Sequence, residues 1–138
     1  MIVLDTNVIS EPMNPRPNPK VVNWLDAQSE SDIWLTSITV AELRAGLAKL
    51  QPGAKHELLA EKIDRTLRDF QDRILPFGQD AAFVYGDLVG PMMAKKAIYK
   101  VLDYQIASIV LVNGGTLATR NTRDFMTTGV PLIDPWTA

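Results

Sequence analysis

Ile2-Val3-Leu4 is a short, unbroken apolar run that stops at a carboxylate, Asp5. Apolar at every position, it suits a central parallel strand covered on both faces, with Asp5 at its carboxyl end. Pro12 to Pro19, with prolines at 12, 15, 17 and 19, cannot sustain a regular element and reads as a loop. A short helix is predicted around Val21, Trp24 and Leu25, then a second strand at Ile33-Trp34-Leu35-Thr36. From Ser37 the spacing becomes helical, with Val40, Leu43, Leu47 and Leu50 on one face and Pro52-Gly53 as the stop. Leu59, Ile63, Leu67, Phe70 and Ile74 recur every three or four residues between charges, predicting a long amphipathic helix that Ile74-Leu75-Pro76-Phe77 closes as an edge strand. Ala81 to Val89 gives another helix. Leu102, Ile106, Ile109 and Val110 give a further one, ended by Gly114-Gly115. Thr116-Leu117-Ala118-Thr119 and Val130-Pro131-Leu132-Ile133 then read as strands. Strands alternating with helices predict an α/β fold, a mostly parallel sheet covered on both sides. No repeat or linker divides residues 1–138, which read as one domain.

Composition narrows the chemistry. A chain of 138 residues, 46% hydrophobic and 22% charged, buries roughly two-thirds of its unfolded surface and needs no covalent staple. It contains no cysteine, which excludes disulfides, thiolate metal sites and cysteine nucleophiles, and His56 is its single histidine. Any metal must therefore sit on oxygen ligands. The N-terminus lacks the basic and apolar regions of a signal peptide, and no run approaches a membrane span, so a cytoplasmic location without membrane contact is expected.

A net charge of -2 argues against a general cationic coat, but the charge is segregated. Between Gly90 and Arg123 stand five bases, Lys95, Lys96, Lys100, Arg120 and Arg123, against one acid, Asp103. Phosphate binding around Arg120 and Arg123 follows as an expectation. Apolar positions are frequent from Leu58 to Val89 and suggest a surface that a partner buries.

In an open α/β sheet the ligand crevice lies beyond the carboxyl ends of the strands. Asp5, Glu42, Asp103, Asn121 and Asp124 all fall there if the crossovers are right-handed. Two carboxylates about 4 Å apart repel by about 4 kcal/mol at an effective dielectric of 20, and a divalent cation offsets this. All-oxygen donors favour Mg2+ or Mn2+, whose natural chemistry is phosphodiester hydrolysis. Each acid also has a plainer reading. Thr39-Val40-Ala41-Glu42 fits a capping box, Asp103 fits a helix start, and Asp5 and Asp124 fit turn junctions. Placement of all of them at one rim favours a site. No phosphate-loop, dinucleotide, nucleophile-elbow or zinc-protease motif is present.

The opening Ile2 to Glu11 segment, Thr39-Val40-Ala41-Glu42-Leu43-Arg44-Ala45-Gly46, Leu102-Asp103-Tyr104-Gln105-Ile106-Ala107, Ala118 to Phe125 and the terminal Asp134-Pro135-Trp136 together resemble PIN-domain toxins of the VapC type, especially the FitB-like branch. The resemblance spans essentially the whole chain. It implies a three-layer α/β/α PIN-like domain and an Mg2+- or Mn2+-dependent endoribonuclease, the toxin of a type II toxin-antitoxin pair. It further implies metal ligation by Asp5, Glu42 and Asp103, with Asn121 or Asp124 as the fourth position. Many relatives carry Asp where this chain has Asn121. Asp5, Glu42, Asp103 and Asp124 would form the catalytic set. Thr6 and Asn7 would order Asp5, Thr119 would bind a metal water, and Arg120 and Arg123 would position the RNA backbone. The same resemblance implies a homodimer, a higher toxin-antitoxin assembly and a cognate VapB-type antitoxin that blocks the site.

Two other classes compete. One is a catalytically decayed PIN-like module that binds nucleic acid or a regulator, which Mn2+ titration discriminates. The other is a phosphorylated receiver-like switch, which requires paired acids after one strand, a pattern this chain lacks.

Overall fold

The apolar triplet at the N-terminus occupies the middle strand of a five-stranded sheet. The computed structural model describes residues 1–138. Its elements run β1 (Ile2–Leu4), α1 (Thr6–Ser10), α2 (Pro19–Asp26), β2 (Ile33–Thr36), α3 (Ser37–Ala48), α4 (Ala54–Asp69), β3 (Ile74–Leu75), α5 (Gln79–Ala94), α6 (Val101–Asn113), β4 (Thr116–Ala118), α7 (Thr122–Phe125) and β5 (Leu132–Ile133). The strand order is β3-β2-β1-β4-β5, and every neighbouring pair is parallel. Val3 lies opposite Trp34 on one side and Leu117 on the other. The order reverses direction at β1, with β2 and β3 to one side and β4 and β5 to the other. That reversal opens a crevice at the carboxyl end of β1, where Asp5 stands.

Side chains alternate across a strand, so β1 and β4 each feed two cores. Val3 and Leu117 join Leu75, Ile106, Ile109, Val110 and Phe125 on the face covered by α5, α6 and α7. Leu4 and Ala118 join Val8, Leu35, Leu43, Leu47, Ile63 and Phe70 on the face covered by α1, α3 and α4. Trp34 packs against the first core and Trp24 and Trp136 against the second, as packing residues. Gly114 ends α6 in the left-handed region at φ +66, donating to Leu111 O and Val110 O, a conformation a side chain would strain. A Cβ on Gly115 would stand 3.3 Å from the Met1 carbonyl oxygen, so that glycine lets β4 lie against β1.

Several expectations shift. The proline-rich stretch is not wholly loop: Glu11–Met13 forms a 3-10 turn, and Pro19 is the first residue of α2, where its missing N–H costs nothing. The inner face of α3 runs through Thr39, Leu43 and Leu47, with Val40 only half-buried. The long helix stops at Asp69, and Ile74 belongs to edge strand β3, which excludes Pro76 and Phe77. β4 ends at Ala118, leaving Thr119 just beyond, and β5 contains only Leu132 and Ile133. No helix is long and apolar enough to cross a membrane.

Candidate active site

Asp5 is the last link between β1 and α1 and is only 5% exposed. Its backbone N–H stays in the sheet, donating to Ala118 O at 2.9 Å, while its carboxylate caps α1. Oδ1 accepts from the Thr6 N–H at 2.9 Å; Oδ2 accepts from Thr119 Oγ1 at 2.8 Å and Asn7 Nδ2 at 3.3 Å. Asn7 also donates to Thr119 Oγ1 at 3.4 Å and accepts from the Arg120 N–H at 3.2 Å. It thereby brackets the ends of β1 and β4. Burial raises the Asp5 carboxyl above the usual range despite these three donors and with a smaller push from Asp124.

Glu42 reaches the same rim from the second turn of α3. The capping box does not form: α3 begins at Ser37, and its cap is Thr36, whose hydroxyl accepts from the Thr39 N–H at 3.1 Å. Glu42 is thus free of capping and accepts from Thr6 Oγ1 at 2.8 Å. Burial raises its carboxyl, the Thr6 hydrogen bond opposes that, and Asp5 adds to the rise.

Asp103 arrives from the opposite layer, in the first turn of α6, after Lys100 at the cap position. Its carboxyl is pushed up to about 6, first by burial, then by Asp5 and Asp124, with Lys100 pulling it down and Glu42 adding to the rise. Asp124 lies in α7 and pairs with Lys100 at 2.8 Å. Four acids from four elements therefore share one field. As the side chains stand, no three of them close around one ion position. Their donor set is nonetheless all carboxylate oxygen, which suits a hydrated hard cation held directly by one or two carboxylates and otherwise through water.

The remaining positions separate. Thr119 is fully buried and its hydroxyl accepts from the Asn121 N–H at 3.1 Å while donating to Asp5. Asn121 precedes α7 with an exposed side chain that makes no capping bond. The Arg120 guanidinium lies over the Trp136 ring at 5.1 Å, and Arg123 is exposed on α7. Sequence reasoning missed Thr36, Thr39 and Lys100 as neighbours of the site. The competing cap at Thr36, three residues before Thr39, was the available signal.

A family model described as PIN domain matches residues 2–129, and the chain belongs to that family. It is 40% identical to "Toxin FitB" of Neisseria gonorrhoeae, with 99% of each chain covered. It is 38% identical to "VapC ribonuclease Y4jK" of Sinorhizobium fredii, covering 99% of this chain and 98% of that one. Its fold superposes on the crystal structure of FitAcB from Neisseria gonorrhoeae with a TM-score of 0.91 at 40% identity, covering 100% of both chains. It superposes on VapBC2 from Rickettsia felis, bound to a DNA fragment from the promoter, with a TM-score of 0.79 at 29% identity, covering 96% and 98%.

Proposed function

We propose that this chain is the ribonuclease toxin of a toxin-antitoxin pair, an Mg2+- or Mn2+-dependent endonuclease that hydrolyses RNA phosphodiester bonds. The observation that carries the reading is the convergence of Asp5, Glu42, Asp103 and Asp124 at the switch point of a parallel sheet, with Asp103 raised by burial and further by the other three. The names of the relatives, a toxin and a ribonuclease, agree with it. Asp5, Glu42 and Asp103 would hold the cation, one or two of them directly and the rest through water, with Asp124 in the outer position beside exposed Asn121. Once bound, a divalent cation lowers the pKa of a coordinated water and steadies charge on the attacked phosphate. The chain's own residues do the rest. Thr119 and Asn7 fix Asp5, and Thr6 fixes Glu42. Lys100 neutralises Asp124. Arg120, seated on Trp136, and Arg123 offer cations to the RNA backbone.

An antitoxin of the VapB type fits the surface beside Glu42. A hollow of about 350 Å³ between α1, α3 and α4 is lined by Met13, Leu43, Leu50, Leu59 and Ile63 and reaches Thr6 and Glu42. A second hollow of about 320 Å³ shares Met13, Leu50 and Leu59 and extends to Leu58, which is 54% exposed. A segment laid there would block the acids directly.

The test is cleavage of total RNA by the purified chain, freed of any co-purified small protein, with Mg2+ or Mn2+ and with chelator. Discrete, metal-dependent cuts that vanish in Asp103→Asn are expected. Full cleavage by Asp103→Asn would overturn the site assignment.

A further inference from the structure

Beneath Glu42 lies a row of three threonine hydroxyls drawn from three elements: Thr36 at the end of β2, Thr39 in α3 and Thr6 in α1. Thr36 and Thr39 are both 0% exposed. The Thr6 hydroxyl stands 2.8 Å from Glu42 Oε1 and 3.0 Å from Thr39 Oγ1, and Thr39 Oγ1 stands 3.5 Å from Thr36 Oγ1. Each hydroxyl has one proton, and an ionised carboxylate only accepts. The Thr6 proton is therefore committed to Glu42. The proton in the Thr6 to Thr39 contact must come from Thr39, and the longer contact beyond it is served by the Thr36 proton. All three donate in one direction, toward Glu42.

Neither capping nor packing accounts for the middle member. The Thr36 hydroxyl is the side-chain cap of α3; Thr39, the third residue of the helix, gives that cap its N–H and leaves its own hydroxyl outside the capping. A valine has nearly the same shape as threonine and would fill the same buried space without a hydroxyl to satisfy. A hydroxyl that itself accepts a hydrogen bond is a stronger donor, and one bonded on both sides has a fixed rotamer.

We propose that the buried row Thr36, Thr39 and Thr6 is a positioning device for Glu42, with Thr39 the residue that locks the direction and rotamer of the Thr6 hydroxyl. The inference rests on the reading of Glu42 as a cation ligand. Thr39 touches neither cation nor substrate and acts only through Thr6.

Two measurements on the full chain test it. The first is calorimetric titration with Mn2+ of the wild type, Thr39→Val, Thr39→Ser and Thr128→Val. Thr128 is a buried control whose hydroxyl donates to Phe125 O. Thr39→Val is expected to weaken Mn2+ binding about tenfold, the low end of what disturbing the partners of a ligating side chain costs. Thr39→Ser restores it to within about twofold, and Thr128→Val leaves it unchanged whatever it does to Tm. The second is a metal-free crystal structure of Thr39→Val, in which Thr6 is expected to rotate away from Glu42. Wild-type Mn2+ affinity in Thr39→Val, with the Thr6 to Glu42 contact kept, overturns the proposal. If the wild type itself binds no Mn2+, the cation reading fails, and the Thr39→Val structure alone decides whether the row positions Glu42. If Thr39→Val does not fold, Thr39→Cys, a weak donor of similar size, takes its place in both measurements. Intermediate affinity then supports the row, and wild-type affinity overturns it.

Discussion

The two halves of the acidic rim are held by different means. Asp5 and Glu42 are anchored by hydroxyl, amide and backbone donors, so their carboxylates are oriented before anything binds. Asp103 and Asp124 belong to the opposite layer and lack such donors: Asp124 leans on an exposed lysine, and Asp103 is raised first by burial and then by its acidic neighbours. The first half is preorganised and the second is frustrated. A cation would relieve the second while using the geometry of the first, which is a physical reason for the acids to come from both sides of one sheet.

Removing the frustrated acid should separate stability from activity most widely. In Asp103→Asn, RNA cleavage is expected to fall by on the order of a hundredfold or more. At pH 7 without metal the same variant should melt higher. The rise in the Asp103 carboxyl to about 6, discounted for half-exposure, corresponds to about 1 kcal/mol, or about 3 °C in Tm. A fall in Tm would break the comparison. Asn7→Ala probes the preorganised half and should lower both quantities. Cleavage drops about tenfold as Asp5 loses its bracket, and Tm falls by about 3 °C for a net hydrogen-bond loss of about 1 kcal/mol. Retention of wild-type cleavage by a folded Asn7→Ala would show that Thr6 and Thr119 suffice.

The pH dependence follows the same division. Burial and neighbouring acids push the Asp103 carboxyl up to about 6 in the folded chain, from an ordinary value of 3.8, so between those values the folded chain holds the extra proton. Stability of the metal-free chain should therefore fall as pH rises from about 4 to about 6 and then level off, with Asp5 and Glu42, also raised, adding to the same slope. Denaturant titrations at stepped pH read this directly, and saturating Mn2+, which favours the ionised carboxylates, should offset the fall between about pH 4 and 6. The smallest effect belongs to Lys100→Ala. Its pair with Asp124 is exposed, so Tm should not change measurably, while Asp103 should titrate still higher because Lys100 is what pulls it down. Carboxyl-detected NMR titration checks that shift.

The sheet, the two-sided core and the rim positions of Asp5, Glu42 and Asp103 were legible because they rest on local signals: an unbroken apolar run, helical spacing and a carboxylate just past an element. Helix α1 was not, since the five residues that follow the capping Asp5 offer no period to read. The strand order was not legible either, because strands of two to four residues carry too little pattern to choose their neighbours. The threonine row escaped for two reasons. Thr36 and Thr39 are equally plausible caps in sequence, and Thr6 lies 33 residues from the hydroxyl it meets. The pairing of Lys100 with Asp124 likewise depends on α6 and α7 meeting, which no local pattern announces.

The outermost strands β3 and β5 contain two residues each. An edge that short offers few free main-chain groups, so an incoming polypeptide gains little by lengthening the sheet. Recognition of this molecule must then be written in side chains along its helices. A partner that fits the hollow beside Glu42 can therefore diverge together with Met13, Leu50, Leu58 and Leu59 while the sheet beneath stays unaltered, which gives related copies a route to partners that do not cross-react.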